Sequence, residues 1–178
     1  GLFLQNGFDA TTIDEIALSA GVSRATAFRY FASKEDLFYT RQYARIAELR
    51  AELLAAIPAD ACADARLAHA LAAAERVAIR YQSERELVLA QERVIRSSPR
   101  LARFDLHVDA LWLRIFEDAL AAGDAPRERR RAAVLAGALV GAMRAVLRDW
   151  FVSDGRSDLV VRSREALDWL ALTAPEIP

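Results

Sequence analysis

Apolar residues recur at a spacing near 3.6 along almost the whole chain, and no run alternates apolar with polar for the length of a strand. That period commits the backbone to helices, because a helix returns to one face every 3.6 residues and a strand every two. Most glycines and prolines lie between the periodic segments, where they act as stops. The expected helices are about nine. The first runs from Leu2 to Gln5 and stops at Asn6-Gly7, and the second from Thr12 to Ser19. The third is capped by Ser23 and reaches about Phe31; the fourth is capped by Ser33 and runs from Lys34 to about Ala56. The fifth spans about Asp64 to Gln82 and the sixth Glu84 to Ile95. Ser98-Pro99 opens a seventh that ends at Gly123, Pro126 opens an eighth that ends near Asp154-Gly155, and a ninth runs from Ser157 to about Leu172. The fold class is therefore all-α. The opening "GLFLQNGF" reads as the end of a helix, so further residues are expected upstream. Composition changes near Ala44, which divides a small N-terminal unit (residues 1–43) from a larger helical bundle (residues 44–178).

Charge narrows the functions. Lys and Arg total 24 against 25 Asp and Glu, so any nucleic-acid contact must use a local patch rather than a basic coat. Such a patch is present. From Gly21 to Lys34 there are three cations, including the chain's only lysine, and no acid. A single cysteine, Cys62, excludes an internal disulfide, and with two histidines makes a structural zinc site implausible. No apolar run approaches the ~20 residues of a membrane span, and a cytoplasmic protein without a cofactor is expected. No nucleophile with a nearby base, no metal spacing and no phosphate loop is found, so an enzyme is not expected.

The second helix, a glycine turn and the short third helix have the proportions of a helix-turn-helix. Ile13, Ile16, Ala17, Val22, Ala27 and Phe31 are expected inside. Arg24, Ala25, Thr26, Arg29 and Tyr30 are expected outside, where arginine can offer a donor fork to guanine and a small residue permits close approach to bases. Lys34, at the start of the fourth helix, is expected to meet a phosphate beside free backbone N–H groups.

The stretch "TTIDEIALSAGVSRATAFRYFASKEDLF" resembles the DNA-binding domain of the TetR family of bacterial repressors. The likeness rests on Thr11, Thr12, Ile16, Ala17, Ala20, Gly21, Val22, Ser23, Thr26, Phe31, Ser33, Lys34, Glu35 and Leu37, and covers about Phe3 to Phe38. It implies a DNA-contacting set of Thr12, Ser23, Arg24, Ala25, Thr26, Phe28, Arg29, Tyr30 and Lys34. The family often has glycine at the position of Ala25, a larger apolar residue at Ala27 and tyrosine at Phe28. A looser small core and weaker backbone anchoring are therefore expected here.

The resemblance also implies that the bundle binds a ligand and pairs two subunits through helices 8 and 9 into a homodimer on double-stranded operator DNA. Gly137 and Gly141 share one face of helix 8 with Ala133 and Ala145, a row over which two helices can approach closely, between subunits or within one. Leu159, Leu167, Trp169 and Leu170 would serve on helix 9. For the ligand, Tyr81, Phe104, His107, Leu111, Trp112, Phe116, Met143 and Trp150 are the candidates, although aromatic residues on such helices more often form core. His107 is expected to be buried, and Tyr81, Arg93, Arg96 and Arg144 are the polar groups placed to read a headgroup. "SSPRLARF", "ALWLRIFEDALA" and "GALVGAMRAVLRDWF" are similar to family members that bind acyl-CoA-like ligands, including regulators linked to mycofactocin genes, which implies a hydrophobic or acyl-type effector. "RERRR", Arg127 to Arg131, is expected to be a solvated face, with contact to an anionic ligand as the other reading. The function expected is a ligand-responsive transcriptional repressor; the alternative is a helical small-molecule sensor or carrier without specific DNA binding.

Overall fold

The structure, a computed structural model, describes residues 1–173. Among these the helices are α1 (Leu2–Asn6), α2 (Ile13–Ser19), α3 (Arg24–Tyr30), α4 (Lys34–Ala56), α5 (Ala63–Ser83), α6 (Arg85–Ser97), α7 (Pro99–Leu120), α8 (Pro126–Val152) and α9 (Leu159–Thr173). Among the described residues all regular structure is helical, as the period requires.

Local chemistry starts these helices. Thr12 caps α2 in a reciprocal box with Glu15, its hydroxyl accepting the Glu15 N–H while Glu15 accepts the Thr12 N–H. Ser23, Ser33 and Ser98 cap α3, α4 and α7 in the same direction. α9 starts two residues later than expected, because Asp158 rather than Ser157 is its cap: the Asp158 carboxylate accepts the N–H groups of Val160 and Val161. α7 ends at Leu120, not Gly123. Leu120 is buried, while Ala122 and Gly123 face solvent and offer no apolar surface to hold another turn.

α4, 23 residues and ~34 Å long, runs from the N-terminal unit into the bundle. One apolar core joins both regions. Phe8 and Phe38 from the N-terminal end belong to the same buried cluster as Leu53, Phe116, Leu139 and Trp150. α7 and α8 form the main antiparallel contact, and α9 packs on α5 and α8. The turn between α8 and α9 is pinned to α6, where Arg85 donates to the carbonyls of Asp154 and Gly155 at 2.8 Å each. Gly155 has φ +68, and a Cβ there would lie 2.6 Å from Arg85 Nε, so this close approach needs glycine.

The small core between α2 and α3 differs from expectation. Ala17 and Ala27 are buried, whereas Ile13, Ile16 and Phe31 are only half-buried and Val22 is 42% exposed. Two seven-residue helices meeting through alanines come close together and enclose little else.

Candidate nucleic-acid interface and bundle cavity

Gly21, in the left-handed region at φ +67, makes the turn that sets α3 across α2. Seven residues give α3 a length of ~10 Å, which suits a major groove of ~12 Å. Arg24, Ala25, Phe28, Arg29 and Tyr30 are exposed on it, and Thr26 is half-buried. The surface is preorganised by its own contacts. The Arg29 guanidinium lies over the Tyr30 ring at 5.1 Å and reaches its hydroxyl at 3.5 Å. Arg24 lies over Phe28 at 5.4 Å and pairs with Asp14 at 2.8 Å. Both partners of that pair are well exposed, so it contributes little and leaves Arg24 able to exchange Asp14 for a phosphate. The hydroxyls of Ser23 and Thr26 lie 2.9 Å apart, and that of Thr12 is held by Glu15.

Lys34 does not stand free as a phosphate clamp. Its ammonium donates to the carbonyl oxygens of Phe8 and Thr11 at 2.9 Å and of Asp9 at 3.4 Å, and sits 4.4 Å from the centre of the Phe8 ring. An ammonium has three N–H groups, and all three are occupied. Lys34 holds the loop between α1 and α2 against α4.

The N-terminal unit is docked by polar contacts. Glu35, buried on α4, accepts from both Nε and Nη2 of Arg100 of α7, the latter at 3.1 Å. Ser98 donates to Asp9 at 3.0 Å.

Beyond this junction lies a cavity of about 130 Å³. One water needs ~10–15 Å³ on this measure, so the space suits a small organic molecule. All of α4 to α8 contribute walls. α4 supplies Phe38, Tyr39, Gln42 and Arg45; α5, Val77 and Tyr81; α6, Val88, Gln91, Glu92 and Ile95; α7, Asp105, Val108, Asp109 and Trp112; α8, Val140, Met143, Arg144, Leu147 and Phe151.

Of the expected ligand residues, Tyr81, Trp112 and Met143 line this cavity. The other five do not. Phe104 stacks on Tyr39 at 5.4 Å, outside the cavity. His107 is exposed rather than buried, because it points away from the α7 face that packs inward. Leu111, Phe116 and Trp150 pack in the core, the last two fully buried. Arg144 lines the cavity, but Arg93 and Arg96 lie outside it in ion pairs with Asp154 and Glu92.

The polar wall is a larger surprise. Tyr39 donates to Asp105 at 3.0 Å, and Gln42 donates to Tyr81 at 2.7 Å. Burial, then the Asp105 charge, push the Tyr39 phenol up, so it stays protonated as a donor. Burial also raises the carboxyl groups of Glu92, Asp105 and Asp109 above their ordinary range, against the opposing pull of arginines. A sequence signal for this wall exists. Asp105, Val108, Asp109 and Trp112 follow the i, i+3, i+4, i+7 pattern, so two acids share a face with two buried apolar residues.

A capped helix pair with an exposed Arg/Tyr helix, joined by one continuous helix to a bundle with a cavity, defines a helix-turn-helix module on a helical body. Residues 1–39 match the family described as "Bacterial regulatory proteins, tetR family". The match spans the segment that carries α1 to α3 and the start of α4, and no more of the chain. No curated protein matches the chain. No helix among the described residues is long and apolar enough to cross a membrane.

Proposed function

We propose that the chain is a dimeric, ligand-responsive repressor that binds a near-palindromic operator through α3 and is released by a small molecule in the bundle cavity. The observation that carries this reading is the double duty of α4. Its Phe38, Tyr39, Gln42 and Arg45 form one wall of the cavity, while its first turn holds the α1–α2 loop through Lys34. A ligand that prefers one tilt of α4 would shift the population of recognition-helix positions and so change DNA affinity. The division at residues 1–43 and 44–178 is kept, with α4 crossing it. A cytoplasmic protein is consistent with this role.

The row Ala133, Gly137, Gly141 and Ala145 supports pairing between subunits. All four are exposed, and nothing lies within 4 Å of a Cβ built on either glycine, so the row does not pack within its own subunit. Val134 and Trp169 are exposed on the same two helices. Leu159 and Leu167, expected in the interface, are buried in their own subunit's core instead.

The test is a fluorescence-anisotropy titration of the protein with the DNA upstream of its own gene. Arg29→Ala is expected to cost ~1–3 kcal/mol and to relax base preference. Equal retention of specific and random duplexes at low salt would instead favour a sensor or carrier without specific DNA binding.

A further inference from the structure

Resting on the reading of the bundle cavity as the effector site, we infer that its ligand is a small organic cation, an amine or ammonium with an aromatic or apolar body, whose charge sits at Asp105. The cavity defines the site, and its charge balance defines the ligand. Five charged side chains line it: Arg45, Arg144, Glu92, Asp105 and Asp109. Four already have partners. Arg45 is bound to Glu84, Arg144 to Asp109, and Glu92 to Arg96 at 2.8 Å. Asp105 is different. It accepts the Tyr39 hydroxyl and has no ion-pair partner within 4.0 Å among the described residues.

An anionic guest, such as an acyl carboxylate, would need an arginine. Taking Arg144 would strip the ion-pair partner of Asp109, beside Asp105, which has none within 4.0 Å among the described residues. Arg45 is held by Glu84, which Arg41 also pairs at 3.2 Å. A cation meets Asp105 without breaking a pair. The apolar walls favour it as well, since Trp112 and Phe151 line the cavity and aromatic rings attract a cation and cover a hydrocarbon body, while the Tyr81 ring already carries Arg45 at 5.4 Å. A metal ion is not the fit, because no three acidic, His or Cys side chains among the described residues are grouped to hold one.

The coupling follows from the same atoms. A cation at Asp105 would share the carboxylate with the Tyr39 hydroxyl, which holds Oδ1, and Tyr39 is on α4. Ligand charge is thus read directly by the helix that carries the N-terminal unit.

The experiment compares three probes of one shape, phenylpropylammonium, phenylpropanol and phenylpropionate, by calorimetric titration of the full chain without DNA. The ammonium is expected to bind about tenfold tighter than the alcohol, with the propionate weakest. Asp105→Asn is expected to remove the preference for the ammonium while keeping alcohol binding. If that variant does not fold, Glu92→Gln should narrow the same preference. Propionate binding as tightly as the ammonium, an unchanged preference in the folded variants, or no binding by any probe overturns the inference. DNA retention is measured in parallel, which separates the two readings. Ammonium binding that leaves DNA retention unchanged upholds the cation site and removes its role as effector site. Release by propionate alone keeps the effector reading and overturns the cation.

Discussion

Lys34 and Asp105 show how one side chain's partners decide its role. The Lys34 ammonium joins three carbonyls of the α1–α2 segment to the start of α4. Truncation would remove this donor from the Asp9 and Thr11 carbonyls, while that of Phe8 keeps the Thr11 N–H at 3.2 Å. Lys34→Ala is therefore expected to lower stability by ~1–3 kcal/mol, read as a shift in thermal melting, with weaker DNA binding following from the loosened unit. A variant that melts like the wild type and loses only DNA affinity would restore the phosphate-clamp role. Asp105 has the opposite sign. Burial raises its pKa above the ordinary 3.8, so the folded protein holds a proton over a pH range in which the unfolded chain has released it. Stability from this group is thus greatest on the acid side and falls as pH rises through that window. Above that window the ionised, buried carboxylate is a cost, opposed by Tyr39 and Arg144. Asp105→Asn is expected to raise the melting temperature by ~2–4 °C at pH 8, the shift made by ~1 kcal/mol at this size, and by progressively less as the pH is lowered. Melting curves of both proteins across pH measure it, and a gain that grows toward acid would refute the sign.

At the scale of elements, the contact of α4 with α7 connects the two regions. Glu35 is 4% exposed, and Arg100 is its only ion-pair partner among the described residues. Arg100→Ala leaves a buried carboxylate uncompensated, whereas Glu35→Gln removes the charge that needs compensation. Arg100→Ala is expected to destabilise by ~1–3 kcal/mol, and adding Glu35→Gln to it should recover part of the loss. Denaturant melts of the two single variants and the double variant close the cycle; strict additivity would mean that the pair does not couple the elements. The sequence was most informative at this scale. Caps at Thr12, Ser23, Ser33 and Ser98 act on residues three further along, so their chemistry is written locally. From sequence the ninth helix is expected to begin at Ser157, two residues before Leu159, because Ser157 and Asp158 stand side by side and only the structure shows Asp158 accepting the first N–H groups. The partners of Lys34 and Glu35 lie 23–26 and 65 positions away, and no periodicity reports such distances. The cavity is less legible still. Phe116 and Trp150 look like pocket residues by type, and only the packing of five helices decides that they fill core while Asp105 opens inward.

For the whole molecule, the proposed DNA recognition through so short a helix would depend on assembly. One seven-residue reading helix covers few base pairs, and two held about one DNA turn apart, ~34–36 Å, multiply both affinity and specificity. The proposed pairing surface on α8 has an unusual property that makes it testable. Gly141 is exposed and mid-helix, with open space where a Cβ would go. A larger residue there costs nothing inside the subunit and should strengthen the helix by up to ~1 kcal/mol relative to glycine. Between subunits the same side chain would hold two helices apart along the small-residue row. Gly141→Arg is therefore expected to yield a folded monomer of 19.7 kDa, at least as resistant to heat within the subunit, where the wild type runs at twice that mass. Light scattering behind size exclusion reads the mass, and circular dichroism checks that helicity is kept. Operator affinity should fall with the mass, because a lone α3 loses its tethered partner while every DNA-facing side chain is unchanged. A variant that stays dimeric with full operator binding would move the pairing surface away from this face of α8. A monomer that binds operator as well as the dimer would show that one recognition helix suffices.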